Sequence, residues 1–172
     1  THILPKGLDH ILFVVGLFLL SQRWKPLLTQ VTAFTIAHSV TLALGLYGVV
    51  SISPSIVEPL IALSIVYVAV ENILTNKLHA WRPVVVFAFG LLHGLGFAGV
   101  LKEIGLAPGD FVLGLIAFNV GVELGQLAVV ALCFAAVIWF LRKPWYRQRI
   151  IIPASLAIAA MGTWWFVERT VL

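Results

Sequence analysis

The chain has 172 residues and is 61% hydrophobic but only 10% charged, whereas ordinary soluble domains carry about 25% charged residues. Seven carboxylates and eleven lysines and arginines cannot form the polar surface that a soluble domain of this length needs, so the composition excludes that class and predicts a membrane protein. The formal net charge of +4 does not indicate a nucleic-acid partner, because the basic residues lie in short connections between apolar runs.

Six apolar runs are each long enough to cross a bilayer, which takes about 20 residues. They do not alternate with the period of two that is typical of membrane β-strands, so they are predicted to be helices. We therefore predict an all-α, polytopic membrane protein with six transmembrane helices in one bundle, forming a single domain. The predicted helices lie near residues 4–21, 27–50, 55–75, 83–101, 111–141 and 150–168.

The connections predict the orientation of the bundle. Eight lysines and arginines lie in the connections that follow the first, third and fifth helices, and three lie on the other side. Because short cytoplasmic loops carry an excess of Lys and Arg, we predict that both termini lie outside the cytoplasm. The chain starts at Thr1, almost directly in the first span, so we expect a further segment, such as a signal peptide, to precede it in the native protein.

The first three helices carry polar residues inside their apolar runs. These residues are Asp9 and His10 in the first helix, His38 and Ser39 in the second, and Ser64, Glu71 and Asn72 in the third. An Asp, Lys or Arg at the centre of a bilayer costs about 2.5 to 3.5 kcal/mol on insertion scales. Such residues usually face the interior of a bundle and mark a pathway or a site, so function is expected at these positions.

The fourth helix carries an imidazole among glycines. His93 lies between Gly90 and Gly94, whose spacing permits two membrane helices to approach closely. This pattern predicts that the fourth helix lies at the centre of the bundle.

The fifth helix carries a polar stripe. Asn119, Glu123 and Gln126 stand at i, i+4 and i+7, so they share one helix face, which must point into the bundle. Gly121 and Gly125 form a second small-residue step beside this stripe, and the step is a candidate for close helix packing.

The rest of the chain limits the chemistry. Cys133 and Met161 are the single cysteine and methionine, which excludes a disulfide framework and disfavours Cu(I) and iron–sulfur sites. No Gly-x-x-x-x-Gly-Lys-Ser/Thr motif occurs, so no nucleotide is expected. Trp164 and Trp165, near the outer end of the sixth helix, are predicted to anchor it at the membrane interface.

Helix geometry assigns approximate depths to the polar residues. With a rise of about 1.5 Å per residue, His38 and His93 lie near the midplane, and Asp9 and His10 lie about 8 Å below the outer edge. Glu71 lies about 24 Å along the third helix, towards the inner edge. The imidazoles and carboxylates therefore form a series from outside to inside, which is what a permeation route requires.

Five segments together resemble the HupE/UreJ family. In sequence letters they are HILPKGLDHILF, FTIAHSVTL, ALSIVYVAVEN, FGLLHGLGFA and FNVGVELGQ, and the resemblance covers residues 2 to 130. His2 stands apart from Pro5, so the chain is closer to the second, less characterised branch than to the branch with a His-Pro step before Gly-x-Asp-His. The resemblance implies a bacterial inner-membrane protein with a hydrogenase or urease accessory function, of a kind regarded as nickel or cobalt permeases.

The residue types themselves suit a divalent transition metal, because imidazole and carboxylate together bind Ni(II), Co(II) and Zn(II). The residues expected to contact the metal are Asp9, His10, His38, His93, Glu71 and Glu123. Further contacts or supporting hydrogen bonds are expected from His2, Ser39, Ser64, Asn72, Asn119 and Gln126.

The leading hypothesis is a permease that works in membrane lipid without a nucleic-acid partner. The metal ion would enter at Asp9 and His10, pass the two midplane histidines, and leave by Glu71 or Glu123.

Two alternatives stay open. One is an intramembrane zinc-dependent hydrolase, in which His10, His38 and His93 hold the zinc and Asp9 or Glu123 is the base. The other is a metal-sensing or accessory membrane protein whose polar core is structural.

Overall fold

The computed structural model describes residues 3–103 and 111–171, with side chains described from residue 7 to 99 and from 111 onward. This part of the chain contains helices and no strand, so the all-α prediction is confirmed. The helices are α1 Ile3–Leu20, α2 Trp24–Leu46, α3 Pro54–Leu74, α4 Arg82–Glu103, α5 Phe111–Val137 and α6 Ile152–Val171, and a π-helical turn, Arg147–Ile151, leads into α6.

Five segments are long and apolar enough to cross a membrane. They are α2, α3, residues Arg82–Gly99 of α4, α5, and the continuous stretch Arg147–Val171. In α1 the corresponding apolar stretch, Gly7–Leu20, is shorter. The prediction of six spans is therefore confirmed for five of them by length and composition.

Four helix boundaries differ from the predicted ones. α2 begins at Trp24 rather than near residue 27, and it ends at Leu46 rather than 50 because Gly48 adopts a left-handed φ of 74°, which stops the helix. α5 ends at Val137 rather than near 141, because hydrogen-bonded turns follow directly after Val137. The last span starts earlier than predicted, with the π-helical turn at Arg147.

The crossing of α2 and α4 forms the centre of the bundle. A Cβ added to Gly90 would lie 2.5 Å from the carbonyl oxygen of Phe34, and one added to Gly94 would meet the His38 carbonyl oxygen and Thr41 Oγ1. These contacts leave no room for a side chain at either glycine. The close approach predicted for the glycines of the fourth helix is therefore confirmed.

The second glycine step behaves differently. A Cβ added to Gly121 or Gly125 would meet nothing within 4 Å among the described residues. The prediction that this step brings α5 close to another helix is therefore wrong, and both glycines line an open cleft instead.

α6 packs along α3 rather than into the bundle centre. The guanidinium of Arg147, just before α6, donates hydrogen bonds to the carbonyl oxygens of Ile73 at 3.0 Å and Thr75 at 3.2 Å. These carbonyls lie at the end of α3, where a helix has no partners of its own for them. The π-helical turn thus fixes the start of α6 to the end of α3.

The outer surface of the bundle is apolar. Leu113 and Leu132 of α5 are 71% and 70% exposed, as expected for side chains that face lipid rather than water. Of the two tryptophans that were predicted to anchor α6, Trp164 is exposed, but Trp165 is buried in the apolar core. The anchor prediction is therefore wrong for Trp165.

Candidate metal site

Three imidazoles from three different helices meet inside the bundle. The ring centroid of His10 lies 5.3 Å from that of His38 and 4.9 Å from that of His93. His38 and His93 are fully buried. The predicted difference in depth between His10 and the other two is therefore wrong. That depth assumes that α1 starts at the outer edge of the membrane, whereas the packing of α1 brings His10 to the level of the other two.

Hydrogen bonds fix the tautomer of His38. Its Nδ1 lies 3.3 Å from Asn119 Oδ1, and the amide nitrogen of Asn119 donates to the carbonyl oxygen of Leu115. Asn119 Oδ1 can only accept, so His38 Nδ1 carries the proton and donates it. In the neutral ring Nε2 then bears a lone pair, and this buried atom has no hydrogen-bond partner among the described residues.

His93 is fixed in the opposite way. Its Nε2 lies 3.1 Å from Ser64 Oγ, and the single hydroxyl proton of Ser64 is donated to the carbonyl oxygen of Ile61 at 2.6 Å. With that proton on the Ile61 carbonyl, Ser64 Oγ accepts from His93 Nε2. In this tautomer the lone pair of His93 is on Nδ1, which is also buried and without a hydrogen-bond partner in the part of the chain that the structure describes.

Aromatic rings enclose the three imidazoles. The centroid of Phe34 lies 5.0 Å from His93, and that of Phe97 lies 5.0 Å from His10. Phe118 stacks on His38 at 6.2 Å. These rings donate no conventional hydrogen bonds, so they do not occupy His38 Nε2 or His93 Nδ1.

The polar stripe of α5 faces α2, which confirms the predicted inward orientation. The hydrogen bonds are Ser39 Oγ to Asn119 Oδ1 at 2.7 Å, Thr35 Oγ1 to Gln126 Oε1 at 3.0 Å, and Thr32 Oγ1 to Glu123 Oε1 at 3.4 Å. Ser39 and Asn119 thereby form one network with His38. Glu123 is half-buried at the next turn of α5.

Two of the expected carboxylate ligands are paired with arginines instead. Asp9 accepts hydrogen bonds from Arg169 Nη2 on both oxygens, at 3.1 and 3.0 Å. Glu71 Oε2 lies 3.5 Å from the Nε of Arg82. Neither arginine was expected at the site, because basic residues near the ends of membrane spans usually indicate topology.

A signal for these pairs was available in the sequence. Glu71 is near the end of the third predicted helix, and Arg82 immediately precedes the fourth, so a helical hairpin places both charges at the same end of the bundle. Asp9, near the start of the first helix, and Arg169, at the end of the sixth, likewise share an end.

An open cleft of about 450 Å³ separates part of α1 from α5. Gly7, Gly121 and Gly125 contribute no side chains to it, which explains why it is open. Its walls are mainly apolar, with polar groups from His10 and Gln126. Because His10 is on its wall, the cleft reaches the imidazole cluster.

Asn72 lies outside the cluster. Asn72 Nδ2 donates to the carbonyl oxygen of Gly16 at 2.8 Å and joins α3 to α1. His2 lies outside the described residues. Among the described residues, no three histidine, cysteine, aspartate or glutamate side chains are arranged so that they could hold a metal ion together. The cluster thus offers imidazole lone pairs but no closed metal cage.

Comparison with known proteins adds one match. The family model described as "HupE / UreJ protein" matches residues 1–169, nearly the whole chain. Searches of curated proteins and of solved structures each found no match.

Proposed function

We propose that this chain, which belongs to the HupE/UreJ family, is a membrane permease for a divalent transition metal ion, with nickel or cobalt as its cargo. The observation that carries the proposal is the pair of buried lone pairs on His38 Nε2 and His93 Nδ1. Each opposite ring nitrogen is held by a polar neighbour on another helix. Metal-binding histidines usually donate their other ring N–H in this way.

The ligand chemistry supports an ion that passes through. Imidazole nitrogen binds nickel, cobalt and zinc. The ring centroid of His10 lies 5.3 Å from that of His38 and 4.9 Å from that of His93. A permeant ion must bind well enough to enter and weakly enough to leave. An incomplete set of ligands, without thiolate, meets this requirement better than a closed cage.

The proposed route passes from Asp9 and His10 to the two buried histidines and then leaves by a carboxylate. Of the two candidates for release, the structure favours Glu123, which is half-buried and accepts a hydrogen bond from Thr32 Oγ1 at 3.4 Å. Glu71 faces the guanidinium of Arg82. A cation that reached Glu71 would have to approach that fixed positive charge.

The proposal includes the membrane arrangement expected from the sequence. In this arrangement α1 also crosses the membrane, which brings the number of spans to six. Both termini lie on the periplasmic side, and the membrane is the bacterial inner membrane. The apolar outer surface of α5 supports direct contact with lipid.

A zinc-dependent hydrolase is the second candidate, because the rings of His38 and His93 each lie close to that of His10 and three imidazoles are the protein ligands of some catalytic zinc sites. It would need a base beside the metal. Of the two candidates, Asp9 already accepts two hydrogen bonds from Arg169, and Glu123 accepts one from Thr32 Oγ1. The permease is the better supported function because no three such side chains among the described residues are arranged to hold a resident zinc ion together.

Uptake of radioactive nickel and cobalt into proteoliposomes, combined with the metal content of the purified chain, tests the proposal. We expect uptake in the parent chain, and loss of uptake in His38→Ala and His93→Ala. His79→Ala is the matched control, because His79 is exposed in the connection between α3 and α4. Zinc that stays bound in a 1:1 ratio through chelator treatment, without uptake of any metal, would support the hydrolase and exclude the permease.

A further inference from the structure

Arg169 ties three helices together at one end of the bundle. From the last turn of α6, its Nη2 donates to both carboxylate oxygens of Asp9 on α1, at 3.1 and 3.0 Å. Its Nη1 donates to the carbonyl oxygen of Glu58 on α3 at 3.1 Å. The guanidinium also lies over the ring of Trp165, 5.4 Å from its centroid. These contacts hold one positive charge in a defined place.

This charge lies between the imidazole cluster and the end of the bundle. A cavity of about 10 Å³ is lined both by the ion pair, Asp9 and Arg169, and by the histidines His10 and His93, and a volume of about 10 to 15 Å³ is what a single water molecule needs. The side chains of Arg169 and Asp9 are 11% and 5% exposed, whereas His93 is fully buried. The ion pair therefore stands where the partly exposed end of the bundle meets its buried centre.

A metal ion and the Arg169 guanidinium need the same carboxylate. The guanidinium engages both oxygens of Asp9 through Nη2, while its Nη1 donates to the Glu58 carbonyl oxygen, and charge-assisted hydrogen bonds of this kind are stronger than neutral ones. A divalent cation beside Asp9 would also be repelled by the guanidinium charge at this distance. The two cations are therefore mutually exclusive partners of Asp9.

We propose that Arg169 is a latch, formed by its hydrogen bonds to Asp9 and to the Glu58 carbonyl, which closes this end of the bundle until a cation displaces it. The latch rests on the proposed function for the identity of that cation, but the closure itself does not. α6 thereby gains a role beyond packing against α3. In the described conformation the latch is closed.

Access to the small cavity can be measured without any metal. Ile61 lines this cavity and is nearly buried, so Ile61→Cys in a Cys133→Ala background gives a single thiol behind the latch. The full chain in detergent micelles is treated with a small cationic methanethiosulfonate reagent, and the labelling rate is followed by mass spectrometry. We expect slow labelling when Arg169 is present.

Removal of the latch should accelerate this labelling. If the open form is a minor conformer of about 0.1 to 10%, Arg169→Gln should raise the rate about tenfold or more. Arg142→Gln is the matched control, because Arg142 is exposed in the connection after α5. An Arg169→Gln rate equal to that of the parent chain would overturn the latch.

A second cysteine position separates opening of the latch from loosening of the whole bundle. Val86 is buried in the core near the start of α4, whereas the small cavity lies beside Gly96, towards the end of that helix. Val86→Cys should therefore stay slow to label when Arg169 is replaced by Gln. Acceleration at both positions would contradict the proposal. If Arg169→Gln cannot be purified, Arg169→Lys takes its place, because lysine keeps the charge but cannot bind Asp9 and the Glu58 carbonyl with two separate nitrogens. The Arg169→Lys variant should label at an intermediate rate. A rate equal to that of the parent chain would again overturn the latch.

Nickel in the same assay distinguishes the latch from the proposed function. Protection of Ile61→Cys by nickel, together with acceleration by Arg169→Gln, would support both. Acceleration without nickel protection would keep the latch and remove nickel as its cation. Nickel protection without acceleration would keep the metal site and overturn the latch.

Discussion

Glu71 and Arg82 form a buried ion pair between α3 and α4: the carboxylate Oε2 lies 3.5 Å from the guanidinium Nε, and the two side chains are 9% and 1% exposed. The pair closes the hairpin that these helices form. Because little water reaches either group, each charge depends on the other for its compensation.

Loss of one partner of this pair should destabilise the protein. Glu71→Gln leaves the Arg82 charge buried without its counter-charge, and removal of one member of a buried pair typically costs about 3 to 5 kcal/mol. Thermal unfolding in detergent should therefore show a lower midpoint. The double variant with Arg82→Gln should recover part of this loss, and Glu168→Gln, at an exposed position, should leave the midpoint unchanged. A parental midpoint for Glu71→Gln would mean that the pair contributes little to stability.

Ser64 should control the affinity of the cluster for metal. Its hydroxyl oxygen accepts the His93 Nε2 proton at 3.1 Å, so Ser64→Ala removes the contact that keeps the lone pair on Nδ1. Loss of such a contact typically reduces metal affinity by about 10- to 100-fold. Equilibrium dialysis with nickel measures the change, and Ser55→Ala, at an exposed serine, is the control. Equal affinities in the two variants would show that His93 does not bind through Nδ1.

A larger side chain in the cleft between α1 and α5 should leave the stability of the protein unchanged but reduce metal transport. Gly121→Leu adds a side chain where nothing lies within 4 Å of an added Cβ, so the thermal midpoint should hardly change. If ions approach His10 through the cleft, nickel uptake into proteoliposomes should fall. Gly99→Leu provides the matched control, because a Cβ added to Gly99 would likewise meet nothing within 4 Å among the described residues, and Gly99 does not line the cleft. Undiminished uptake in Gly121→Leu would remove the cleft from the route.

The crossing of α2 and α4 should not tolerate even a methyl group. In Gly90→Ala the new Cβ would lie 2.5 Å from the backbone oxygen of Phe34, so one helix must shift. Overpacking of this kind typically costs about 1 to 3 kcal/mol. Gly125→Ala, which faces open space, is the natural comparison. Thermal unfolding in detergent should show a lower midpoint for the first variant only, and equal midpoints would contradict the tight crossing.

Much of the architecture is readable from the sequence because membrane spans are specified by long apolar runs. The stripe of Asn119, Glu123 and Gln126 is equally readable, since polar residues that share a helix face inside a bilayer must find partners in the bundle. Its partners on α2 confirm this reasoning.

The packing of the helices is harder to predict from the sequence, because the same residue pattern occurs in different surroundings. Gly90 and Gly94 touch another helix, whereas Gly121 and Gly125, with the same spacing, face a cleft. Only the neighbouring helices decide between these outcomes. His10 shows the same limit, since its position along α1 gave no indication that packing would bring it level with the other imidazoles.

The tautomers of the two buried histidines make the proposed metal site asymmetric. An ion bound to both would be bonded through Nε2 of His38 but through Nδ1 of His93. Because Nδ1 is one bond closer to the backbone along the ring, the ion would lie nearer to α4 than to α2. The two rings would also differ in their ¹⁵N chemical shifts on metal binding, so selective labelling of histidine would reveal which ring atom holds the ion.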